Sequence, residues 1–374
     1  MAQAERSKSK NSSVRKVALA LQGGGSHGAF TWGVLDRLLE DDSLEIIGVT
    51  GTSAGAMNAV CLVDGLAQGG PPEARRRLRT FWEAVGKMPG LGSLMYGLSG
   101  ELLAHMRIEQ TPPYQMLDAL RRNFTPDQIN PLHINPLRDA LSELIDYDRL
   151  RSSDIVVQVC ATNIKTAIRR VFSNEDISVD ATLASATLPD LFSPVEIDGE
   201  PYWDGGFSGN PAMAALIRRL PKCDFIIVRI DPIIRNELPK TARDIHDRVT
   251  ELSFNTTFWL ELSAIGVLLA LVEEGELDRE RFGRILFHAI EASESLEKIP
   301  PSTKLNNAPA FLDYLFDLGR STAQEWIAEH GDDVGRQSTI DLTRLLPTHP
   351  TYDSAPSRAP PSAPKRHSLR VPRH

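Results

Sequence analysis

The sequence predicts an α/β fold built on a doubly wound, mostly parallel sheet. Three observations carry this. Strand-length apolar runs at 17–21 (VALAL) and 44–49 (LEIIGV) each lead straight into a glycine-bearing turn. Each turn opens a stretch with apolar residues at helical spacing, 29–39 and 56–66. The 374 residues, 41 % hydrophobic and 24 % charged, have globular composition and suit two average domains or one large domain with an extension. A strand–turn–helix unit repeated twice is how such a sheet begins.

The elements follow in order. Residues 1–16 are polar and basic and are expected to be disordered. After the second helix, 86–106 (GKMPGLGSLMYGLSGELLAHM) is rich in Gly, Met and Leu and poor in charge. It reads equally as a mobile apolar lid or wall and as a buried connection. Strands are expected at 154–160 (DIVVQVC), 169–172 (RRVF) and 225–230 (FIIVRI), the last ended by Asp231 and Pro232. A small-residue helix starts at 182–186 and stops before Pro189. Residues 240–330 read as mostly helical. From Pro347 onward seven of 28 residues are proline, the composition of a disordered tail.

Charge and cysteine usage exclude several classes. The formal net charge of −8 is unevenly placed: 1–16 and 347–374 carry +4 each, leaving −16 in the middle. An acidic body with two short basic ends is not a nucleic-acid-binding domain. Cys61, Cys160 and Cys223 lie far apart in apolar runs, so buried, reduced thiols are expected and neither a disulfide framework nor a metal cluster is. The longest apolar run in the C-terminal half, 265–272 (IGVLLALV), has eight residues, whereas a membrane span needs about 20. The run at 17–21 meets Gln22 and three glycines at once, unlike a signal peptide. A cytoplasmic location is the default expectation.

Three motifs carry chemistry. Gly51-Thr52-Ser53-Ala54-Gly55 is a G-x-S-x-G between a strand and a helix, the setting of a nucleophile elbow. The flanking glycines, Gly51 and Gly55, allow a sharp turn that puts Ser53 at its tip, and the helix start faces developing negative charge. Gly23-Gly24-Gly25-Ser26-His27-Gly28 also satisfies G-x-G-x-x-G. A dinucleotide site wants an acid at the end of the next strand, but that strand runs into the elbow instead. An oxyanion hole is the other reading, with backbone N–H groups of Gly23, Gly24, Gly25, Ser26 and Gly28 cradling a negative oxygen. The third motif is Asp204-Gly205-Gly206, an acid held on a tight turn. A serine nucleophile needs a proton acceptor. His246 and His288 lie in stretches without turn motifs, and His27 sits inside the glycine turn. The arrangement favours a Ser–Asp dyad over a triad.

Taken together, GGGSHG, GTSAG and DGG resemble the patatin-like phospholipase family. The stretch ASATLPDLFSPVEIDGEPYWDGGFSGNP resembles the run into that family's DGG block. The resemblance covers roughly 17–232. It implies a three-layer α/β/α patatin-like fold with a mostly parallel central sheet, plus a helical C-terminal extension. The organisation is then a basic N-terminus (1–16), a catalytic domain (17–232), the extension (233–346) and a Pro-rich basic tail (347–374). It implies Ser53 as nucleophile, Asp204 as base, the glycine loop as oxyanion hole, Gly205 and Gly206 as supports of the dyad loop, and no metal or cofactor. The family often has Lys or Arg where this chain has His27, which leaves head-group preference open. The expected activity is lipid acyl hydrolysis of phospholipase A or lysophospholipase type, on a phospholipid or lysophospholipid, with weak peripheral membrane contact through the basic ends and no nucleic acid. A soluble esterase or thioesterase, and a non-enzymatic nucleotide-binding protein using the glycine turn, are the competing readings.

Overall fold

The structure is a computed structural model that describes residues 14–95, 97–232, 238–278, 285–291 and 293–342. The Pro-rich tail and residues 1–13 lie outside the described residues. Arg15 and Lys16, expected in a disordered arm, instead begin the first strand. The Arg15 guanidinium explains this, because it donates to the Gly331 carbonyl and to the Ser43 hydroxyl.

The described strands are β1 (Arg15–Leu21), β2 (Leu44–Gly51), β3 (Val156–Asn163), β4 (Arg169–Phe172), β5 (Val195–Ile197), β6 (Glu200–Asp204), β7 (Asp224–Arg229) and β8 (Phe287–Glu291). They form one sheet in the order β5-β6-β3-β2-β1-β7-β8, with β4 also paired to β3. Neighbours from β3 to β8 are parallel, whereas β4 and β6 run antiparallel to β3.

Side-chain alternation explains the three layers. Along β1, Val17, Leu19 and Leu21 enter one core, and Ala18 and Ala20 enter another. β7 alternates likewise, with Ile226 and Val228 on the first face and Phe225 and Ile227 on the second. A strand buried on both faces reads as a continuous apolar run and needs cover on both sides. The first face is covered by α1 (Gly28–Leu38), α2 (Ala54–Lys87) and a C-terminal helix, Pro309–His330. The second is covered by Ala214–Arg219 and Ala242–Glu273. With the short helix Val179–Ala184 as α3, these are α4 (Ala214–Arg219), α5 (Ala242–Glu273) and α6 (Pro309–His330).

The region expected as a helical extension therefore completes the sheet's cover and adds to the sheet itself. β8 falls inside a stretch expected to be helical, because the apolar residues around FHAIE fit a helical reading of so short a run. α6 crosses α1 at two glycines: a Cβ on Gly33 would lie 2.0 Å from the Phe316 oxygen, and one on Gly319 would lie 2.0 Å from the Phe30 oxygen. The buried Asp36 carboxylate joins the same layer by accepting from Arg75 (2.8 and 3.1 Å) and from Arg320.

Two apolar segments take definite places. Of 86–106, Leu91, Met95, Leu103 and Ala104 are buried, and the Gly92 N–H donates to Asn307 Oδ1 at 3.1 Å. The described part is a packed connection rather than a free lid. Asp244–Glu273 is long and apolar enough to cross a membrane by length and composition. Phe258, Leu262 and Ile265 on one of its faces enter the second core, whereas Val249, Leu260 and Val267 are exposed.

Candidate active site

Both glycine turns leave the C-terminal ends of parallel strands, where open α/β sheets place their ligands. Gly51 of β2 pairs with Leu21 of β1 and Val159 of β3. Two residues on, Ser53 turns the chain into α2 with φ 54° and ψ −122°. A non-glycine residue there costs about 1–3 kcal/mol and persists only when its surroundings hold it. The Thr52 N–H donates to the Leu21 carbonyl (3.3 Å), the Thr52 hydroxyl to the Gly209 carbonyl (2.7 Å), and the Ser53 N–H to the Ser185 hydroxyl (3.0 Å). Close approach demands both elbow glycines. A Cβ on Gly51 would lie 2.2 Å from the Gly55 oxygen, and one on Gly55 would lie 2.2 Å from the Leu21 oxygen.

Asp204 arrives from the antiparallel side. It ends β6, pairs with Ala161 of β3 and is fully buried. Its backbone N–H donates to the Thr187 carbonyl at 2.8 Å, and its carbonyl accepts from the Thr162 hydroxyl at 2.8 Å. The side-chain Oδ1 accepts from the Gly206 N–H at 2.7 Å, while Oδ2 has no ordinary hydrogen bond. The Ser53 hydroxyl is near enough to stabilise the carboxylate but stands outside ordinary hydrogen-bond geometry. Catalytic pairs are often that loose before substrate tightens them. Burial pushes the Asp204 carboxyl up to about 7; the Gly206 N–H, the Ser53 hydroxyl and the Lys304 charge each pull it back down. A carboxyl near 7 is a base matched to neutral pH.

The Asp204 turn is clamped from both sides. A Cβ on Gly205 would lie 2.0 Å from the Cys160 oxygen, and Gly206 lies under the Phe254 ring of α5. The Thr257 hydroxyl, also on α5, donates to the Gly206 carbonyl at 3.1 Å.

In the first glycine loop the donors divide. The Gly23 N–H donates to Asn210 Oδ1 at 2.7 Å, and the Gly28 N–H turns back to the carbonyls of Gly25 and Ser26. These two are occupied within the protein. Among the described residues no partner is found for the N–H groups of Gly24, Gly25 and Ser26. Gly25 has φ +59°, which a side chain adopts only with strain.

The histidines stand apart from the serine. His27 Nε2 meets the Thr303 hydroxyl at 2.8 Å, buried His288 meets Asp224 at 3.2 Å, and exposed His246 faces Asp190 at 3.8 Å. Among the described residues no histidine hydrogen-bonds Ser53, and no three His, Cys, Asp or Glu side chains gather as a metal site. All three cysteines are free and buried, and burial pushes Cys160, behind the Asp204 turn, up to about 12. Two cavities of about 550 and 560 Å³ have neither Ser53 nor Asp204 in their walls. The first runs between α4 and α5 past Ser208 and Thr257, and the second borders 300–302.

Sequence reasoning missed Asn210, Ser185 and Lys304. Asn210 stands in the GNP run after DGG, and Ser185 in the run before it. Lys304 carries no local signal.

The family model for patatin-like phospholipases matches residues 19–216, a little over half the chain. The chain belongs to the patatin-like phospholipase family. No curated protein matches it. Among solved structures it is similar to VipD from Legionella pneumophila, at 17 % identity and a TM-score of 0.35, covering 81 % of this chain and 67 % of that one. It is also similar to ExoU of the ExoU–SpcU complex from the type III secretion system of Pseudomonas aeruginosa, at 15 % identity and a TM-score of 0.26. That match covers 84 % of this chain and 53 % of the other, so this patatin-like chain spans about half the length of that neighbour. The matched residues hold Ser53, Asp204 and the glycine loop, and β7, β8, α5 and α6 lie beyond them.

Proposed function

We propose that this patatin-like protein is a lipid acyl hydrolase of phospholipase A or lysophospholipase type, working through Ser53 and Asp204. One observation carries the reading: a strained elbow serine faces a wholly buried carboxyl whose pKa lies near 7, with no histidine between them. Asp204 takes the Ser53 proton as the hydroxyl oxygen attacks the ester carbonyl. The tetrahedral oxyanion is held by the open N–H groups of Gly24, Gly25 and Ser26. Collapse expels the alcohol with the proton Asp204 took: the lysophospholipid from a phospholipid, or the glycerophosphodiester from a lysophospholipid. Asp204 then deprotonates a water that attacks the acyl-serine; as the acyl–oxygen bond breaks, Asp204 returns that proton to the Ser53 oxygen and the fatty acid leaves.

Product analysis from defined phospholipids and lysophospholipids tests this. The wild type should release free fatty acid, whereas Ser53→Ala and Asp204→Asn should release none above buffer. Turnover by Ser53→Ala would overturn the whole reading. Near-normal turnover by Asp204→Asn would overturn the dyad and bring His27 back as the base.

A further inference from the structure

We infer that Lys304, from a segment outside the family match, is a positioning residue of this site: its ammonium is a fixed positive pole beside the Gly24–Gly25 loop that stabilises negative charge at Ser53 and Asp204. The inference rests on the Ser53–Asp204 reading above and deepens it.

The short turn Pro301–Leu305 is mated to the glycine loop. A Cβ on Gly25 would lie 2.4 Å from the Lys304 carbonyl oxygen, so the backbones meet where a side chain would stand. A Cβ on Gly24 would lie 3.7 Å from Lys304 Cε, which puts the aliphatic stem along the loop. The preceding residue, Thr303, takes His27 Nε2 at 2.8 Å. Two consecutive residues of one turn thus engage the loop that holds the open N–H groups.

The charge is held in place. Lys304 Nζ lies 2.5 Å from Asp231 Oδ1, with the lysine side chain 20 % exposed and the aspartate side chain fully buried. Neither Asp231 oxygen has an ordinary hydrogen bond, so the Lys304 ammonium, together with the nearby Arg229 charge, compensates that buried carboxylate. Asp231 itself is aimed by Gln22, whose Oε1 accepts the N–H groups of Ile230 and Asp231 at 2.9 Å each. Gln22 directly precedes the glycine loop, and Asp231 follows β7, the neighbour of β1. From this place the Lys304 charge also lowers the pKa of the Asp204 carboxyl, after the larger effects of the Gly206 N–H and the Ser53 hydroxyl. Other charged and titratable groups among the described residues also face this cluster. Asp204 also faces the Ser53 hydroxyl and the Cys160 thiol, Asp231 faces Arg229, and Arg229 pairs with Glu291 of β8 at 2.6 Å.

The test is the pH profile of Ser53-dependent hydrolysis of a soluble nitrophenyl ester, using the full chain. Lys304→Met should lower kcat about tenfold and move the acidic limb to higher pH, because the charge that lowers the Asp204 pKa is lost. Lys304→Arg should restore both. Asp231→Asn should move the limb the other way, because the ammonium loses its competing carboxylate. A folded Lys304→Met with an unmoved limb, whatever its kcat, overturns the inference. Should Lys304→Met not fold, an unmoved limb in Asp231→Asn does the same. Fluorophosphonate labelling and turnover of Ser53→Ala and Asp204→Asn are run alongside. Activity persisting in those two sinks the dyad reading itself, whereas their inactivity with an unmoved Lys304 limb sinks only the role of Lys304.

Discussion

Replacing Asp204 with asparagine should inactivate the protein and stabilise it, and the stabilisation should grow with pH. The folded carboxyl holds its proton up to about 7, whereas an exposed aspartate loses it near 3.8. Between those values the unfolded chain binds fewer protons than the folded one, so stability falls as pH rises. The gap of about three pH units, at 1.36 kcal/mol each, makes the ionised Asp204 a burden of about 4 kcal/mol above pH 7. At pH 5 little more than a third of that applies. Asparagine is neutral throughout, its oxygen can keep the Gly206 N–H bond, and its amide can meet the Ser53 hydroxyl. Its stability advantage over wild type should therefore widen by about 2–3 kcal/mol between pH 5 and pH 8. Denaturant unfolding of both proteins at the two pH values, read as the difference in midpoint times slope, measures this. Parallel curves would refute the argument, because they would mean that Asp204 ionises in the folded state as it does in water. The same titration governs activity with the opposite sign: kcat should rise with pH through about 7, as the base becomes available.

Ser53→Ala and Ser53→Gly should both lose turnover and fluorophosphonate labelling, but the glycine variant should unfold at higher denaturant by about 1 kcal/mol or more, because it adopts φ 54° freely; an alanine variant as stable as the glycine one would remove the case for elbow strain. Gly25→Ala combines a left-handed φ with a clash at the Lys304 carbonyl and should lower kcat/KM by about 10²–10³, the cost of a lost oxyanion donor; unchanged single-turnover kinetics would show that the loop does not serve the oxyanion. Deleting 1–13 and 347–374 should leave soluble-ester hydrolysis intact and weaken binding to anionic liposomes at low salt, by at most about 1 kcal/mol per basic residue removed; sedimentation that matches the full chain would make these ends plain solvated termini. A chain cut after residue 232 loses β8, α5 and α6, and it should come out insoluble when expressed; a soluble, cooperatively folding fragment would show that the covers are dispensable.

What the sequence made legible is whatever its chemistry binds to a few adjacent residues. An elbow needs Gly51 and Gly55 within one turn of Ser53. Asp204 is recognisable because Gly205 and Gly206 follow it directly. The alternation along β1 and β7 is likewise local. The rest acts across long separations. Asn210 holds Gly23 from 187 positions away and Ser185 holds the Ser53 N–H from 132, and neither stands in a motif that announces an acceptor. His27 sits inside a motif, but its partner Thr303 is 276 residues off. Five residues of β8 are too few for periodicity to separate a strand from a helix, so only its partner β7 decides.

That division explains why the family match can stop at residue 216 while the fold cannot. A parallel sheet delivers the loops after β1, β2 and β7 to one edge, and the antiparallel β6 brings Asp204 back to the same edge. The glycine loop after β1, the Ser53 turn after β2 and the Asp204 turn after β6 all lie within the matched residues, whereas the loop after β7 lies beyond them. Holding them is a different task. The second face of β1 and β7 is covered by Phe258, Leu262 and Ile265 of α5, the first by Phe311 and Leu315 of α6. From the same C-terminal half, Phe254 presses on Gly206 and the Lys304 carbonyl presses on Gly25. A strained serine and a buried carboxyl of raised pKa both destabilise the fold, by about 1–3 and about 4 kcal/mol. Contacts of this kind, made from outside the family match, are what keep such a pair in place. The half of the chain without a motif is thus the part that lets the half with one hold a reactive geometry.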